Sequence, residues 1–373
     1  MSDYILFLPS WYPSKNLPLD GNFIQRHAEV IAKNQHIIVL YVMAADKDEM
    51  HMQQVSPNYT EVLITFEKSK FPLVKYVQYY KHYLNGFNKI VEQHGNPRFC
   101  HVHVIWFSGL FAWWLQYKKN IPYIVSEHWS VLLSENIKKL SSLKLFAIRK
   151  VLNNAQAVTA VSNHLSESIQ LLTHTPVSVV SNVVDDIFFN QKAQQKFEKF
   201  TFICVSNFAK LKRIPQIIQS FENAVKSGLD ANLILIGEEG GDKHICRDLA
   251  QHSIASHRIS ILPEINKNEM ASLMSKCHAL ISFSEYETQG ITVLESLAVG
   301  NPVITSDILP FNTYIDSSKG MLVHTTEELT VAMKSLCENY TQFQPEMISK
   351  WVSERYSSEH IGNQFLTIYQ QLD

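Results

Sequence analysis

Short unbroken apolar runs recur along the chain, each closed by a polar or Gly/Pro-bearing loop. The first is 4–8 (Y-I-L-F-L), and 37–42, 62–66, 99–105, 123–125, 157–160 and 177–180 follow it. A second series comprises 200–205, 233–236, 259–262, 279–284, 303–305 and 321–323. Strands buried on both faces read this way, as in a parallel sheet covered by helices. Helical spacing fills intervals between them. Residues 23–33 carry apolar side chains at 23, 24, 28, 30, 31 and 32, and 71–91, 268–276, 327–338, 345–356 and 359–372 also read as helices. Residues 291–299 are apolar almost throughout and stop at Gly300, with Pro302 just beyond, a helix end. The alternation predicts an α/β chain with two doubly wound sheets. The polar segment 190–199 reads as the linker, giving domains 1–192 and 193–356.

Composition narrows this. A length of 373 residues suits about two domains, and 46% hydrophobic residues suffice for two cores. The net charge of −2 and pI near 6.8 give no phosphate-backbone stripe, so no nucleic-acid partner is expected. Five scattered cysteines without a C-x-x-C read as reduced thiols of a cytoplasmic protein. The opening M-S-D-Y-I-L-F-L-P lacks a basic leader segment, and no apolar run is long enough to span a bilayer. Asp46-Lys47-Asp48 is formally a D-x-D, but its polar surroundings read as a solvated loop rather than a metal pair. The segments 71–91 and 138–150 mix aromatic residues with Lys. They fit amphipathic helices on the sheet, or a face that touches an anionic membrane.

Candidate chemistry concentrates in 281–307, I-S-F-S-E-Y-E-T-Q-G-I-T-V-L-E-S-L-A-V-G-N-P-V-I-T-S-D, which reads strand–loop–helix–strand. The loop 285–290 lies at a strand's carboxyl end, where open α/β sheets bind ligands. Glu287 stands in that loop. Glu295 stands in an apolar helix, where an unpaired carboxylate is costly, so it needs a committed partner. The helix start at Gly290, Ile291 and Thr292 offers free N–H groups and a positive dipole end suited to a phosphate. No G-x-G-x-x-G follows the first strand, which argues against a dinucleotide. Period-two alternation puts His101 and His103 on one strand face, and no third metal ligand stands at motif spacing.

The segment 284–303 resembles the block S-x-x-E-x-x-G-x-x-x-L-E-x-x-A-x-G-x-P-V of family 4 retaining glycosyltransferases. Further segments resemble that family. S-W-Y-P with Gly21 and F-I resembles its opening, H-V-H (His101–His103) and S-E-H (to His128) its two strand ends, and 181–185 its domain junction. Residues 206–213 resemble its G-R-L-x-x-x-K-G loop, with Lys212 on the Lys, Asn207 replacing the Arg and Arg213 replacing the Gly. The resemblance implies the GT-B fold: two Rossmann-like domains facing a cleft, with a C-terminal helix, about 357–373, crossing back to the first domain.

It also implies a nucleotide-diphospho-sugar donor in the second domain and a glycan or lipid-linked acceptor in the first. Lys212 would meet the diphosphate with the N–H groups at Gly290, Ile291 and Thr292. Glu287 would hold a sugar hydroxyl, Glu295 the ribose, and Ser206, Asn207, Gly237 and Glu264 would complete the donor site. His103 would touch the transferred sugar, and Gly21, His128 and Trp129 would line the acceptor side. Neither metal nor cofactor is expected. The family's setting implies polysaccharide or glycolipid synthesis at the inner face of the cytoplasmic membrane. A nucleotide-sugar epimerase or phosphorylase on the same fold, and a non-catalytic nucleotide-sugar-binding subunit, stay open. The missing Arg at position 207 favours the last.

Overall fold

The computed structural model describes residues 4–15, 17, 20–191, 195–238 and 241–372. The chain divides into two compact units, Met1–Val183 with Glu359–Asp373, and Val184–Ser358.

The first unit is built on eight strands: β1 (Tyr4–Pro9), β2 (His36–Ala45), β3 (Glu49–Ser56), β4 (Tyr59–Glu67), β5 (Phe99–His103), β6 (Tyr123–Glu127), β7 (Val158–Ala160) and β8 (Val177–Val179). Their order is β3-β4-β2-β1-β5-β6-β7-β8, parallel except for the β3–β4 pair. Helices α1 (Asn22–Ile31), α2 (Pro72–His94), α3 (Ser108–Lys119), α4 (Ser142–Asn154) and α5 (Asn163–Gln170) connect them. The steps β4→β5→β6→β7 all run one way across the sheet, so right-handed crossovers place α2, α3 and α4 on one face. The step β1→β2 runs the other way and puts α1 on the opposite face.

In the second unit α6 (Asp186–Phe189), β9 (Phe200–Val205), α7 (Ile214–Lys226), β10 (Ala231–Ile236), α8 (Lys243–His252), β11 (Ile259–Leu262) and α9 (Lys267–Lys276) come first. Then follow β12 (Ala279–Ser282), α10 (Ile291–Ala298), β13 (Val303–Ser306), β14 (Gly320–Val323), α11 (Thr326–Glu338) and α12 (Pro345–Tyr356). The sheet is wholly parallel, in the order β11-β10-β9-β12-β13-β14. The last helix, α13 (Ser358–Gln370), belongs from Glu359 onward to the first unit. There Ile361, Phe365 and Tyr369 are buried with α1 and β1 in one core.

Two expectations need correction. The division falls at Val183/Val184 rather than at 192/193, because Phe188 of α6 enters the second core; residues 192–194 themselves lie outside the described residues. The polar stretch after residue 48 is not all loop. Residues 49–56 form β3, an almost fully exposed edge strand that pairs antiparallel with β4. It buries neither face, so it shows no apolar alternation to read. Asp46, Lys47 and Asp48 are exposed ahead of it.

Candidate functional site

In the second unit, β9→β10→β11 winds one way across the sheet and β12→β13→β14 the other, so the strand order reverses between β9 and β12. Ligands of open α/β sheets bind beyond the strands' carboxyl ends at such a reversal. The loops leaving these two strands bring Lys212 and Glu287 together. The Lys212 Nζ donates to Glu287 Oε1 at 2.5 Å, and the Ser284 hydroxyl donates to the same oxygen at 3.0 Å. A narrow recess beside them is lined by Ser206, Lys212, Ser284, Glu287 and Thr292. Both partners are largely buried, so the ion pair holds Lys212 at the mouth of α10 rather than free in water.

Gly290 caps α10 with φ 79° and ψ 60°, a left-handed conformation that suits glycine. A Cβ there would come within 2.3 Å of the Phe311 ring. The Tyr314 hydroxyl donates to the Gln289 carbonyl at 2.9 Å and so steadies the same turn. The N–H groups of Ile291 and Thr292 open the helix and have no intrahelical acceptor. Glu295, four residues into α10, is buried.

Three further residues border this end of the sheet. A Cβ on Gly237 would fall 1.9 Å from the Ser206 carbonyl oxygen, so glycine is what lets the ends of β9 and β10 approach. Lys243, fully buried, donates to the Gly237 carbonyl at 2.6 Å; its role was not read from the sequence. Burial pushes the Glu264 carboxyl above its ordinary range, and nearby Glu238 adds to the shift. Asn207 is exposed, and Arg213 pairs with Glu285 at 3.3 Å, a different carboxylate from the one that Lys212 meets. Arg213 keeps φ 49° and ψ 38°, the left-handed geometry that explains the glycine of the G-R-L-x-x-x-K-G pattern at this position. A wider cavity of about 490 Å³ lies elsewhere in the unit, between the Ser318–Lys319 turn and α12. It is away from the strand reversal and contains none of the residues singled out above.

The first unit gathers its histidines at the carboxyl ends of β5 and β6. His103 Nδ1 and His128 Nε2 stand 3.4 Å apart, and the His27 ring from α1 lies 5.6 Å from each by ring centroids. Ligand nitrogens of His27, His103 and His128 lie within 4.8 Å of one another, a donor set that could hold a metal ion. No spacing cue marks His27, which comes from a separate helix, α1. Burial lowers the affinity of all three for protons, taking His27 to about 3. His101 is held by Ser126 and by Tyr369 of α13, each at 2.7 Å. Glu127, also buried, accepts N–H bonds from Ile105, His128 and Trp129, yet burial still pushes its carboxyl up to about 7.

His103 is completely enclosed, so the direct sugar contact implied for it is not made in this conformation. Trp129 is only half-buried and stands edge-on to Trp11 at 6.3 Å, and Phe23 lies against His128 at 4.7 Å. Gly21 caps α1 at φ 65°, and a Cβ on it would come within 2.4 Å of the Trp11 main chain. Its glycine is thus accounted for by this close approach.

Each unit carries a wound, mainly parallel sheet with polar groups at its carboxyl edge, and comparison with known proteins names the family. The family model described as Glycosyltransferase Family 4 matches residues 21–187, and that described as Glycosyl transferases group 1 matches 186–352. The chain belongs to the family 4 glycosyltransferases. Its relatives include the N-acetyl-alpha-D-glucosaminyl L-malate synthase of Bacillus anthracis, 26% identical over 60% of this chain and 61% of that protein. The alpha-monoglucosyldiacylglycerol synthase of Acholeplasma laidlawii is 28% identical over 38% of this chain and 36% of that protein. The matched stretches thus span less than two thirds of either relative. The structure of sucrose-phosphate synthase from Thermosynechococcus elongatus superposes with a TM-score of 0.78 at 17% identity, covering 99% of both chains. Anabaena Alr3699/HepE in complex with UDP gives 0.74 at 13% identity, over 99% of this chain and 100% of that one. These likenesses show the GT-B fold, so this family 4 glycosyltransferase carries two Rossmann-like units.

Proposed function

We propose that this glycosyltransferase moves a hexose-type sugar, with retention of anomeric configuration, from a nucleotide-diphospho-sugar to a glycan or lipid-linked acceptor. The observation that carries the reading is the Lys212–Glu287 pair at the β9/β12 reversal, beside the first turn of α10. As the glycosidic bond breaks, negative charge grows on the leaving diphosphate. Lys212 and the N–H groups of Ile291 and Thr292 meet that charge where it develops. Glu287 takes a sugar hydroxyl and Glu295 the ribose, with Ser206, Asn207, Gly237 and Glu264 around the nucleotide. The departing phosphate accepts the acceptor's proton, so no covalent nucleophile and no metal ion is part of the step. His103 acts as a positioning residue through His128, which with Trp129 and Gly21 borders the acceptor.

UDP-glucose is the first donor to try, because Alr3699/HepE is seen with UDP-glucose as well as with UDP. The diacylglycerol named in the Acholeplasma relative supports a lipid-linked acceptor and a setting in glycolipid or polysaccharide synthesis.

The test begins with UDP-, GDP- and ADP-sugars screened for thermal stabilisation. Acceptor-dependent nucleotide release and the product's anomeric configuration are then followed by NMR. Glu287→Gln and Lys212→Ala lower turnover by at least about a hundredfold with melting temperature retained, and chelator leaves the wild-type rate unchanged. Wild-type turnover in both variants, or an inverted product, removes the reading. Donor binding without transfer to any acceptor points instead to a binding subunit, which the exposed Asn207 in place of an Arg favours.

A further inference from the structure

The layer of α2, α3 and α4 presents an outward surface that neither the sugar chemistry nor the core uses. The helices are neighbours: Tyr80 of α2 meets Trp114 of α3 at 5.3 Å, and α3 packs on α4. Large apolar side chains on this layer face water. Phe71, just ahead of α2, is 71% exposed, Val77 66%, Tyr117 of α3 75%, Leu143 of α4 79% and Phe146 58%. Side chains this apolar seldom cluster on a surface that serves no contact.

The charge on the same layer is one-sided. Residues 68–94, 108–119 and 137–154 hold twelve of the chain's 33 Lys and Arg and one of its 35 Asp and Glu, Glu92 near the end of α2. The remainder of the chain is correspondingly acidic. Several of the cations lie over the aromatic rings: Lys118 over Tyr117 at 4.9 Å, Lys150 over Phe146 at 5.7 Å and Lys75 over Tyr79 at 5.8 Å. Long stems of this kind bury along apolar surface while their ammonium groups reach outward.

The geometry points to a docking face for an anionic lipid bilayer, on which the exposed aromatic and aliphatic tips enter the headgroup boundary and the Lys ring meets lipid phosphates. Other occupants fit less well. Two copies of the chain would bring like charges face to face. Eleven of the twelve cations are Lys and one, Arg149, is Arg, the reverse of what bidentate recognition of a nucleic-acid phosphate favours. Aliphatic tips such as Leu143 and Val77 suit hydrocarbon rather than a polar ligand. Because each of these helices starts at the carboxyl edge of the sheet, Phe71, Leu143 and Phe146 lie toward the same edge as His128 and Trp129. The inference rests on surface chemistry alone and stands or falls apart from the transferase reading.

Flotation of the full chain with phosphatidylcholine vesicles, with and without phosphatidylglycerol, tests it. Wild type partitions onto the anionic vesicles at low salt and is partly released at high salt. Lys118→Glu combined with Lys150→Glu lowers that partitioning by about tenfold or more. Leu143→Ser combined with Phe146→Ser removes the fraction that survives high salt. Both pairs keep the wild-type melting temperature and the wild-type response to UDP-glucose. A wild-type protein that stays off phosphatidylglycerol vesicles at low salt overturns the assignment. So does a Lys118/Lys150 variant that floats as wild type does, which would leave the face to an acidic protein partner.

Discussion

Gly290 concentrates the site's demands in one residue. Its positive φ and the Phe311 ring beneath it both exclude a side chain. Gly290→Ala is therefore expected to cost about 2 kcal/mol or more, from left-handed strain plus displacement of Phe311. It should also abolish the melting-temperature rise on adding UDP-glucose, because the turn sets where the first N–H groups of α10 point. Denaturant unfolding with and without the nucleotide sugar measures both; an alanine variant that melts and responds like wild type would show that the turn tolerates a Cβ. Residue identities at this turn were legible, because Gly, Glu and Pro sit at fixed offsets within one continuous segment. Lys212 and Glu287 were each singled out, but not as partners. They lie 75 residues apart and meet only because β9 and β12 are neighbours. His27 carried no signal of its own, since one buried His on an amphipathic helix reads like any other polar position until the fold delivers His103 and His128 beside it.

Among the elements, the buried parallel strands were the most legible, because covering both faces leaves an unbroken apolar run. β3 was not, since an exposed edge strand needs no core-facing residues. α13 shows how much a remote helix can matter. It lies against α1 closely enough that a Cβ on Gly362 would come within 2.8 Å of Val30, and Phe365 stacks edge-on to His27 at 5.0 Å. Phe365→Ala is expected to destabilise the first unit by about 3–5 kcal/mol through the cavity it leaves. The second unit, which holds none of this core, should keep its own transition. Calorimetry that resolves the two transitions checks this, and an equal downward shift of both would show that their stabilities are not separable.

At the scale of the whole molecule, the buried histidines make stability depend on pH. His27, His101, His103 and His128 all bind protons less readily folded than at their ordinary value of 6.5. Their contribution is complete above pH 6.5 and is lost as the pH falls, because the unfolded chain takes up protons that the folded one refuses. Glu127 acts in the opposite sense. Its folded value of about 7 lies above the ordinary 4.5, so its contribution is present below 4.5 and lost as pH rises through 7. Four groups against one leave the balance with the imidazoles between pH 4.5 and 6.5. Stability of the first unit should therefore fall as the pH drops below 6.5. His27→Phe should soften that slope by about one proton's worth. Melting temperatures between neutral and mildly acidic pH test this, and a flat profile would show that these imidazoles are not held neutral.

The polypeptide passes from one unit to the other twice, at Val183/Val184 and again at Ser358/Glu359. During synthesis, everything the second unit's core requires has left the ribosome once Ser358 has. The first unit's core instead waits for Ile361, Phe365 and Tyr369, which follow only after the whole second unit, Val184–Ser358. The segment made first is thus the one completed last, and for that interval the apolar side chains around α1 and β1 lack the α13 residues that cover them.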